Sequence, residues 1–221
     1  MKPKMERTQR LRVTFAKGEA VKYISHLDLM RLWERALRRA GVPMLYSKGY
    51  NPRPKISLAA PLAVGITGQR EIMDVFLERP LAPLDFATAA KRQLPAGITL
   101  IEVQEVYVTL PALQTLVQST HYLATVDTSE ETTDVEVRVA SLLRAEHLRR
   151  RRRDKEYDLR PLIEELWLEA TDEDQCTLGM KLRAGEGGTG RPDEVLAELG
   201  LTNQVKRITR TQLHFAPAGE P

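Results

Sequence analysis

The first forty residues combine two hydrophobic patterns of different period. Between Arg10 and Ala16 every second residue is apolar, and this period of two predicts a β-strand with one buried face. Residues 27–40 follow the helical period instead. Their apolar positions fall on one stripe of a helix and are Leu29, Leu32, Trp33, Ala36, Leu37 and Ala40. The pattern therefore predicts a strand followed by an amphipathic helix with one buried face.

Both ends of this helix carry local signals. Ser25 and Asp28 have the spacing of a capping box, in which side chains bond the free backbone amides of the first turn. Gly41 and Pro43 follow the helix, and a glycine with a nearby proline is typical of a helix C-terminus. Ser25 and Asp28 are therefore predicted to be caps.

Four more elements are predicted before residue 109. They are strands at Val42–Tyr46, Ile72–Leu77 and Thr99–Val108 and a helix at Pro83–Gln93. With the first strand and helix they give the order β-α-β-β-α-β. We interpret residues 109–120 as a linker, after which the same order recurs more loosely.

The second set includes a hairpin whose turn, Thr171-Asp172-Glu173-Asp174, is rich in aspartate. Its elements are a strand at His121–Asp127, a helix at Thr133–Glu146, hairpin strands at Leu166–Ala170 and Cys176–Arg183, a helix at Pro192–Leu199 and a strand at Val205–Phe215. The sequence thus predicts an α+β protein with two ferredoxin-like (split β-α-β) units side by side, at residues 1–108 and 121–221.

Composition limits the classes of function. The chain has 221 residues, of which 42% are hydrophobic and 29% charged, and no apolar run approaches the ~18 residues of a membrane span. The basic N-terminus has no apolar core after it, so we expect a cytoplasmic protein without a secretory signal. Cys176 is the only cysteine, which excludes an intramolecular disulfide and an iron–sulfur cluster or zinc ion held by cysteines alone. We expect no cofactor and no metal in this chain.

Charge is distributed unevenly along the chain. Residues 1–60 hold 14 Lys and Arg against 4 Asp and Glu, a net charge of +10. Residues 61–221 hold 19 against 26, a net charge of −7. A basic segment of this kind indicates a polyanionic partner.

The cations of the basic segment lie on one flank of the predicted helix and in the loop after it. The flank comprises Arg31, Arg35, Arg38 and Arg39, and the loop alternates Tyr46, Lys48, Tyr50, Arg53 and Lys55. Aromatic rings can stack bases while cations contact phosphates, so the pattern indicates single-stranded nucleic acid. The alternatives are a solvated helix face and a rigid proline turn that packs its tyrosines.

His26 lies between the two cap residues. Ser25, His26 and Asp28 include the residue types of a hydrolytic triad, but neighbours this close in sequence cannot form its relay. His26 either packs locally or presents its imidazole beside the basic loop.

Two further segments are candidates for anion binding. Arg149–Arg153 is the densest cationic run, and in an extended strand alternate arginines point to opposite faces; a solvated edge strand is the alternative. A glycine-rich loop, residues 185–190, precedes Arg191, and its free amides could hold a phosphate or carboxylate, although Glu186 opposes an anion. A flexible connection is the alternative. The candidate residues are Arg160, Gly187, Gly188 and Arg191.

Four segments together resemble the bacterial radical SAM-linked protein family, a domain of unknown function found alone or fused behind a radical S-adenosylmethionine enzyme. They are Tyr-Ile-Ser-His-Leu-Asp-Leu at 23–29, Arg-Ala-Leu-Arg-Arg-Ala-Gly at 35–41, Tyr-Ser-Lys-Gly-Tyr-Asn-Pro-Arg-Pro-Lys-Ile-Ser at 46–57 and Asp-Leu-Arg-Pro at 158–161. The resemblance implies an accessory role for a radical SAM partner that carries its own iron–sulfur cluster.

The leading hypothesis is an accessory protein that binds RNA or a ribonucleoprotein substrate for that partner. The predicted RNA-binding residues are His26, Arg31, Arg35, Lys48, Tyr50, Asn51, Arg53 and Lys55. A metal-independent endoribonuclease with His26 as the base is one alternative, by analogy with ferredoxin-like repeat-processing nucleases. A protein-interaction module whose acidic 61–221 surface contacts the partner is another.

Overall fold

A computed structural model describes residues 8–127, 132–152, 154–172, 174–185 and 187–216. Residues 1–7, Arg153, Glu173 and Glu186, on which parts of the sequence interpretation rest, lie outside the described residues. The strands are β1 Gln9–Lys17, β2 Ile56–Leu58, β3 Thr67–Leu77, β4 Ile98–Val106, β5 Val117–Asp127, β6 Arg149–Arg152, β7 Lys155–Asp158, β8 Ile163–Asp172, β9 Gln175–Arg183 and β10 Val205–Phe215. The helices are α1 His26–Arg39, α2 Pro83–Lys91, α3 Leu113–Leu116, α4 Thr132–Arg144 and α5 Pro192–Glu198.

The chain divides into two compact units, with the boundary between Leu116 and Val117. The segment 109–120, interpreted from the sequence as a linker, contains α3 and the first four residues of β5. Its apolar residues explain this structure, because Leu113 is fully buried and Val117 is 5% exposed.

The first unit places its strands in the order β4-β1-β3, with β2 on the far side of β3, and every pairing is antiparallel. Leu11, Val13 and Phe15 of β1 are completely buried, as the period of two predicts. Trp33 of α1 packs edge-on against Phe15 with ring centroids 5.0 Å apart. Strand β1 and helix α1 therefore share the hydrophobic core.

The other face of this sheet carries a buried ion network. The Arg10 guanidinium donates to Asp74 Oδ2 and to the carbonyl oxygen of Leu110, the latter at 2.6 Å. Arg12 Nε donates to Asp74 Oδ1 at 2.9 Å. Because Asp74 is fully buried, its charge requires both partners. The network ties the segment before α3 to the sheet.

The second strand differs from its prediction. The sequence pattern placed it at Val42–Tyr46, but the structure forms β2 at Ile56–Leu58. Met44 makes one isolated bridge to Leu77. Pro43 interrupts the earlier segment because proline has no amide to donate to a ladder.

The second unit has the strand order β10-β5-β9-β8, again antiparallel throughout. The predicted strand at Val205–Phe215 is confirmed to the residue. An additional hairpin, β6–β7, follows α4 and was not predicted as a pair. Buried residues of alternate positions on β5 and β9 form the core of this unit and include Tyr122, Ala124, Val126, Cys176, Leu178, Met180 and Leu182.

The two strand orders, together with the helices, confirm the predicted α+β class. None of the helices in the described ranges combines the length and apolarity that crossing a membrane requires.

Candidate nucleic-acid interface

A buried lysine fixes the chain where it enters α1. Lys17 is 1% exposed, and its ammonium donates to the carbonyl oxygens of Lys22, Ile24 and Ile66 at 2.9, 3.4 and 3.4 Å. These carbonyls lie in loops that have no ladder partner for them, and the cation satisfies all three. Lys17 therefore determines where His26, the first residue of the helix, lies.

The helix N-terminus is capped as predicted. Ser25 Oγ accepts the amide of Asp28 at 3.2 Å and donates to Asp28 Oδ2 at 2.7 Å. The hydrogen bond from Ser25 lowers the pKa of Asp28, and Arg31 lowers it further. Both cap residues are thereby occupied with the helix, which leaves His26 as the polar residue of this turn that faces the surface.

The arginine flank of α1 is only partly available to a ligand. Arg31 and Arg38 pair with carboxylates three or four residues earlier at 3.2 and 2.5 Å, and Arg39 Nη2 donates to the carbonyl of Gln93 at 3.0 Å. Arg35 is exposed and has no partner among the described residues. Exposed ion pairs of this kind contribute little and exchange readily for a phosphate.

Residues 45–55, which we call the basic loop, form a closed turn rather than an open coil. The amide of Lys55 donates to the carbonyl of Leu45 at 2.7 Å. Further along, the amide of Ser47 donates to the Arg53 carbonyl at 2.8 Å, and Ser47 Oγ accepts the Arg53 amide at 3.0 Å. The turn thus holds Arg53 in place and presents Tyr50, which is 100% exposed, at its tip.

A groove of about 620 Å³ lies between α1 and the basic loop. It is lined by His26, Leu27, Met30, Arg31, Glu34, Arg53, Pro54 and Ile56. Four of these side chains are apolar and form a bed, while the two arginines supply cations from opposite elements. Such a mixture suits a flat apolar body that carries negative charge.

The groove brings together three of the predicted RNA-binding residues, namely His26, Arg31 and Arg53. Arg35 lines an adjoining depression of about 330 Å³ together with Arg31. The other four predicted residues lie on the basic loop beside the groove and are exposed: Lys48, Tyr50, Asn51 and Lys55.

Sequence reasoning missed the apolar part of this surface. Leu27 is 65% exposed although it lies in a helix, and Met30 and Ile56 are half-buried in the groove. One signal was present in the sequence, because Leu27 falls off the apolar stripe of α1. An apolar residue on the polar flank indicates a contact surface.

The anion-binding candidates of the second unit are only partly brought together. Gly187, Gly188 and Arg191 line one cavity. Arg160 is not among the residues that line it, because its guanidinium donates to the carbonyl oxygens of Leu143 and Ile163. That arrangement caps the last turn of α4.

The arginine run forms strand β6, as its alternation suggested. Arg150 is used structurally, since its guanidinium pairs with Glu198 at 2.9 Å and donates to the carbonyl of Glu194. Arg149 and Arg151 alternate with it along the strand and are exposed and half-exposed positions of a hairpin edge.

Comparison with known proteins gives a family and a fold. A family profile described as an uncharacterized protein conserved in bacteria (DUF2344) matches residues 10–192. Among curated proteins, none matches the sequence.

Three solved chains are similar in fold. One, from the crystal structure of a Cbf5-Nop10-Gar1 complex, has a TM-score of 0.51 at 8% identity, over 93% of this chain and 48% of that chain. A chain from the archaeal box H/ACA sRNP Nop10-Cbf5 complex has a TM-score of 0.48 at 9% identity, over 96% of this chain and 49% of that one. A chain from an H/ACA RNP bound to a substrate RNA has a TM-score of 0.47 at 8% identity, over 93% and 47%. The present chain spans about half the length of these solved chains.

Proposed function

This chain belongs to the DUF2344 family of uncharacterized proteins conserved in bacteria, and from that premise we propose that it is an RNA-binding protein. The binding surface is the groove between α1 and the basic loop, together with the exposed loop residues. The single observation that carries the proposal is the groove, where His26, Arg31 and Arg53 surround an apolar bed.

Each part of the groove has a role in this proposal. An unpaired base lies on Leu27, Met30 and Ile56, and Tyr50 at the tip of the basic loop stacks on a neighbouring base. Arg31 and Arg53 reach the phosphates on either side, and His26 and Asn51 make local polar contacts. Arg35, Lys48 and Lys55 continue the track of positive charge.

Charge supports a polyanion as the ligand. The first 60 residues carry a net charge of +10, and on the basic loop Lys48, Arg53 and Lys55 are all exposed. Within the described residues no ion pair is formed by these three cations. Free cations on a rigid turn lose little entropy on binding a phosphate backbone.

We further propose that both units are ferredoxin-like. The support is the strand order, in which the fourth strand of each unit pairs with the first and the first with the third, with the second at the outer side. Folds of this kind host unrelated functions, so the RNA proposal rests on the groove and not on likeness of fold.

The partner that we propose is a radical SAM enzyme, for which the chain presents a bound RNA or ribonucleoprotein. The support is the resemblance of segments 23–57 and 158–161 to the radical SAM-linked family. The partner carries its own iron–sulfur cluster in this account, because the single cysteine of this chain, Cys176, is buried in the core.

A second candidate function is favoured by the position of His26 in the groove. A half-buried imidazole beside two arginines is the arrangement that a metal-independent endoribonuclease requires of its base and its phosphate-binding groups. Incubation of labelled RNA with the protein in chelator separates the candidates. Cleavage that is lost in His26→Ala favours the nuclease, whereas intact RNA favours the binding protein.

A binding titration tests the primary proposal. Fluorescence anisotropy of a labelled 12-nucleotide single-stranded RNA is measured with the wild type and with Lys48→Ala/Arg53→Ala/Lys55→Ala. We expect the Kd of the triple variant to rise by at least about tenfold, because three phosphate contacts are removed. A matched control, Arg79→Ala/Lys91→Ala/Arg92→Ala, removes the same charge from exposed positions of the first unit.

The control distinguishes a local surface from a general charge effect. If both triple variants lose the same affinity, only net charge matters and the groove is not the site. If the basic-loop variant binds as tightly as the wild type, the proposal is wrong.

A further inference from the structure

The largest cavity described in the second unit has a volume of about 940 Å³ and lies between the β6–β7 hairpin and the glycine-rich loop. This volume is at the upper end of the roughly 300–1,000 Å³ of small-molecule sites. All of its lining residues belong to the second unit. It is therefore a candidate site that is separate from the groove on α1.

One wall of the cavity is cationic. It is formed by Arg183, Arg191 and the backbone from Gly187 to Thr189, and its described residues include no carboxylate. The nearest recorded carboxylate to Arg183 belongs to Glu164, with the two charged atoms 3.9 Å apart. Arg183 is therefore only weakly neutralised and can accept an anion.

The second arginine of this wall is held in a fixed orientation. Arg191 Nε and Nη2 donate to the two carboxylate oxygens of Asp193 at 3.0 and 2.7 Å. The loop between the two arginines is also tied down, since the amide of Gly190 donates to the carbonyl of Arg183 at 2.9 Å. In the described structure the amide of Thr189 has no hydrogen-bond partner, which leaves it as a donor for a ligand.

The opposite wall is acidic. It comes from the hairpin and carries Asp154, Glu156 and Asp158 against the single cation Arg152. Asp158 is occupied by His147 Nδ1 at 2.7 Å, so Asp154 and Glu156 remain as acceptors. Carboxylates in such positions accept hydrogen bonds from amino and hydroxyl groups of a ligand.

The floor between the walls is apolar and close to the loop backbone. Leu162 is 8% exposed, and a Cβ built on Gly188 would come within 3.0 Å of Leu162 Cδ2. Gly188 also has φ of +116°, a conformation that favours glycine. The loop therefore approaches the floor as closely as it does only because residue 188 has no side chain.

We propose that this cavity binds a nucleotide. The phosphate lies on the wall of Arg183 and Arg191, the sugar and base cross the apolar floor, and their hydroxyl and amino groups donate to Asp154 and Glu156. A simple anion would leave the acidic wall without a partner, and a metal cation would face two arginines. An amino acid has both charges but fills only a small part of the volume.

The same chemistry is available from a free nucleotide or from one nucleotide within an RNA chain. Isothermal titration calorimetry distinguishes the two sources if it is run on the full chain with the Lys48→Ala/Arg53→Ala/Lys55→Ala substitutions, which silence the proposed RNA surface of the first unit. The probes are AMP, GMP, CMP and UMP, the trinucleotides of each base, adenosine and inorganic phosphate. The inference does not depend on the proposed RNA-binding function, and failure of one leaves the other standing.

We expect saturable binding of one molecule per chain for at least one monophosphate or trinucleotide. Adenosine and phosphate alone should bind at least about tenfold more weakly than the complete nucleotide. Arg183→Ala should weaken nucleotide binding by about tenfold or more, while Arg207→Ala, at an exposed position of β10 outside the cavity, should not change it.

Arg183 is exposed, so its replacement leaves the fold intact, and a thermal melt of each variant verifies this. Saturation by a monophosphate identifies the free nucleotide, and saturation by a trinucleotide alone identifies an RNA segment. The inference is overturned if no probe binds at millimolar concentration, or if Arg183→Ala binds its nucleotide as tightly as the wild type.

Discussion

Lys17 shows how a single buried charge organises the start of α1. Its three carbonyl acceptors belong to two different loops, so the lysine joins the segment before the helix to the segment before β3. Lys17→Met keeps the length of the side chain but leaves those oxygens without a donor. We expect the free energy of unfolding in urea to fall by about 1–3 kcal/mol.

Lys91→Met is the matched control for this prediction. Lys91 is exposed in the last turn of α2, and exposed substitutions usually change stability by less than about 0.5 kcal/mol. Equal stability of the two variants would contradict the role given to Lys17.

Asp158 gives a prediction about pH. The hydrogen bond from His147, with further ones from the amides of Leu148 and Arg160, lowers the pKa of Asp158 from 3.8 to about 2. Because the folded state holds the carboxylate more strongly than the unfolded chain, its stabilisation is present above pH 3.8 and is lost as the pH falls toward 2.

Urea unfolding at several pH values measures this loss. The stability difference between the wild type and Asp158→Asn should be constant from pH 5 to pH 6 and should shrink between pH 4 and pH 2. His147→Ala serves as the comparison, since removing the imidazole raises the pKa of Asp158 and moves the loss to higher pH. A difference that does not change with pH would argue against this interaction.

Among the elements, the basic loop carries the most specific structural prediction. Ser47→Ala removes the hydrogen bond from the Arg53 amide to the hydroxyl without changing any charge. If the closed turn positions Arg53, RNA affinity should fall by up to about fivefold, which corresponds to about 1 kcal/mol of ordering.

The salt dependence of RNA binding separates order from charge in this variant. The number of phosphate contacts is unchanged in Ser47→Ala, so the slope of log K against log salt should equal that of the wild type. An unchanged affinity would mean that the turn does not position Arg53.

Sequence patterns predicted the elements that bury one clear face. Strand β1 and helix α1 were predicted to within a residue or two of their ends, because period and cap agree there. Strand β2 was misplaced, since Met44 and Tyr46 satisfy an apolar alternation that the prolines prevent from forming a ladder. The β6–β7 pair was missed because charged residues fill its strands and give no hydrophobic period.

The site was predictable in its charges but not in its shape. The sequence identified Arg31 and Arg53, which lie 22 positions apart in the chain, and the structure places both on one groove. It could not reveal that Leu27 and Ile56 form the bed between them, because helix α1 and the basic loop meet only through tertiary packing. Arg160 was misleading for a related reason: a cation near a helix end can serve the helix's own carbonyls.

At the scale of the whole molecule, the uneven charge predicts two kinds of partner. Residues 61–221 carry a net charge of −7, so contacts outside the basic segment are available to a protein. We expect the proposed radical SAM enzyme to co-purify with this chain after nuclease treatment, because docking then does not require RNA. Immunoblotting of the eluate with and without nuclease measures this.

Two results bear against the proposed partner. If the enzyme is absent from the untreated eluate, the resemblance does not extend to an interaction. If it is present but is released by nuclease, RNA alone links the two proteins, and the acidic region is not a docking surface.

The central claim is that five cations, Arg31, Arg35, Lys48, Arg53 and Lys55, hold the phosphates of a single-stranded RNA. The most direct test is the salt dependence of RNA affinity, measured by anisotropy for the wild type and for Lys48→Ala/Arg53→Ala/Lys55→Ala. Five contacts predict a slope of log K against log salt of about −3.5, and two contacts predict about −1.4. Equal slopes for the two proteins would contradict the account.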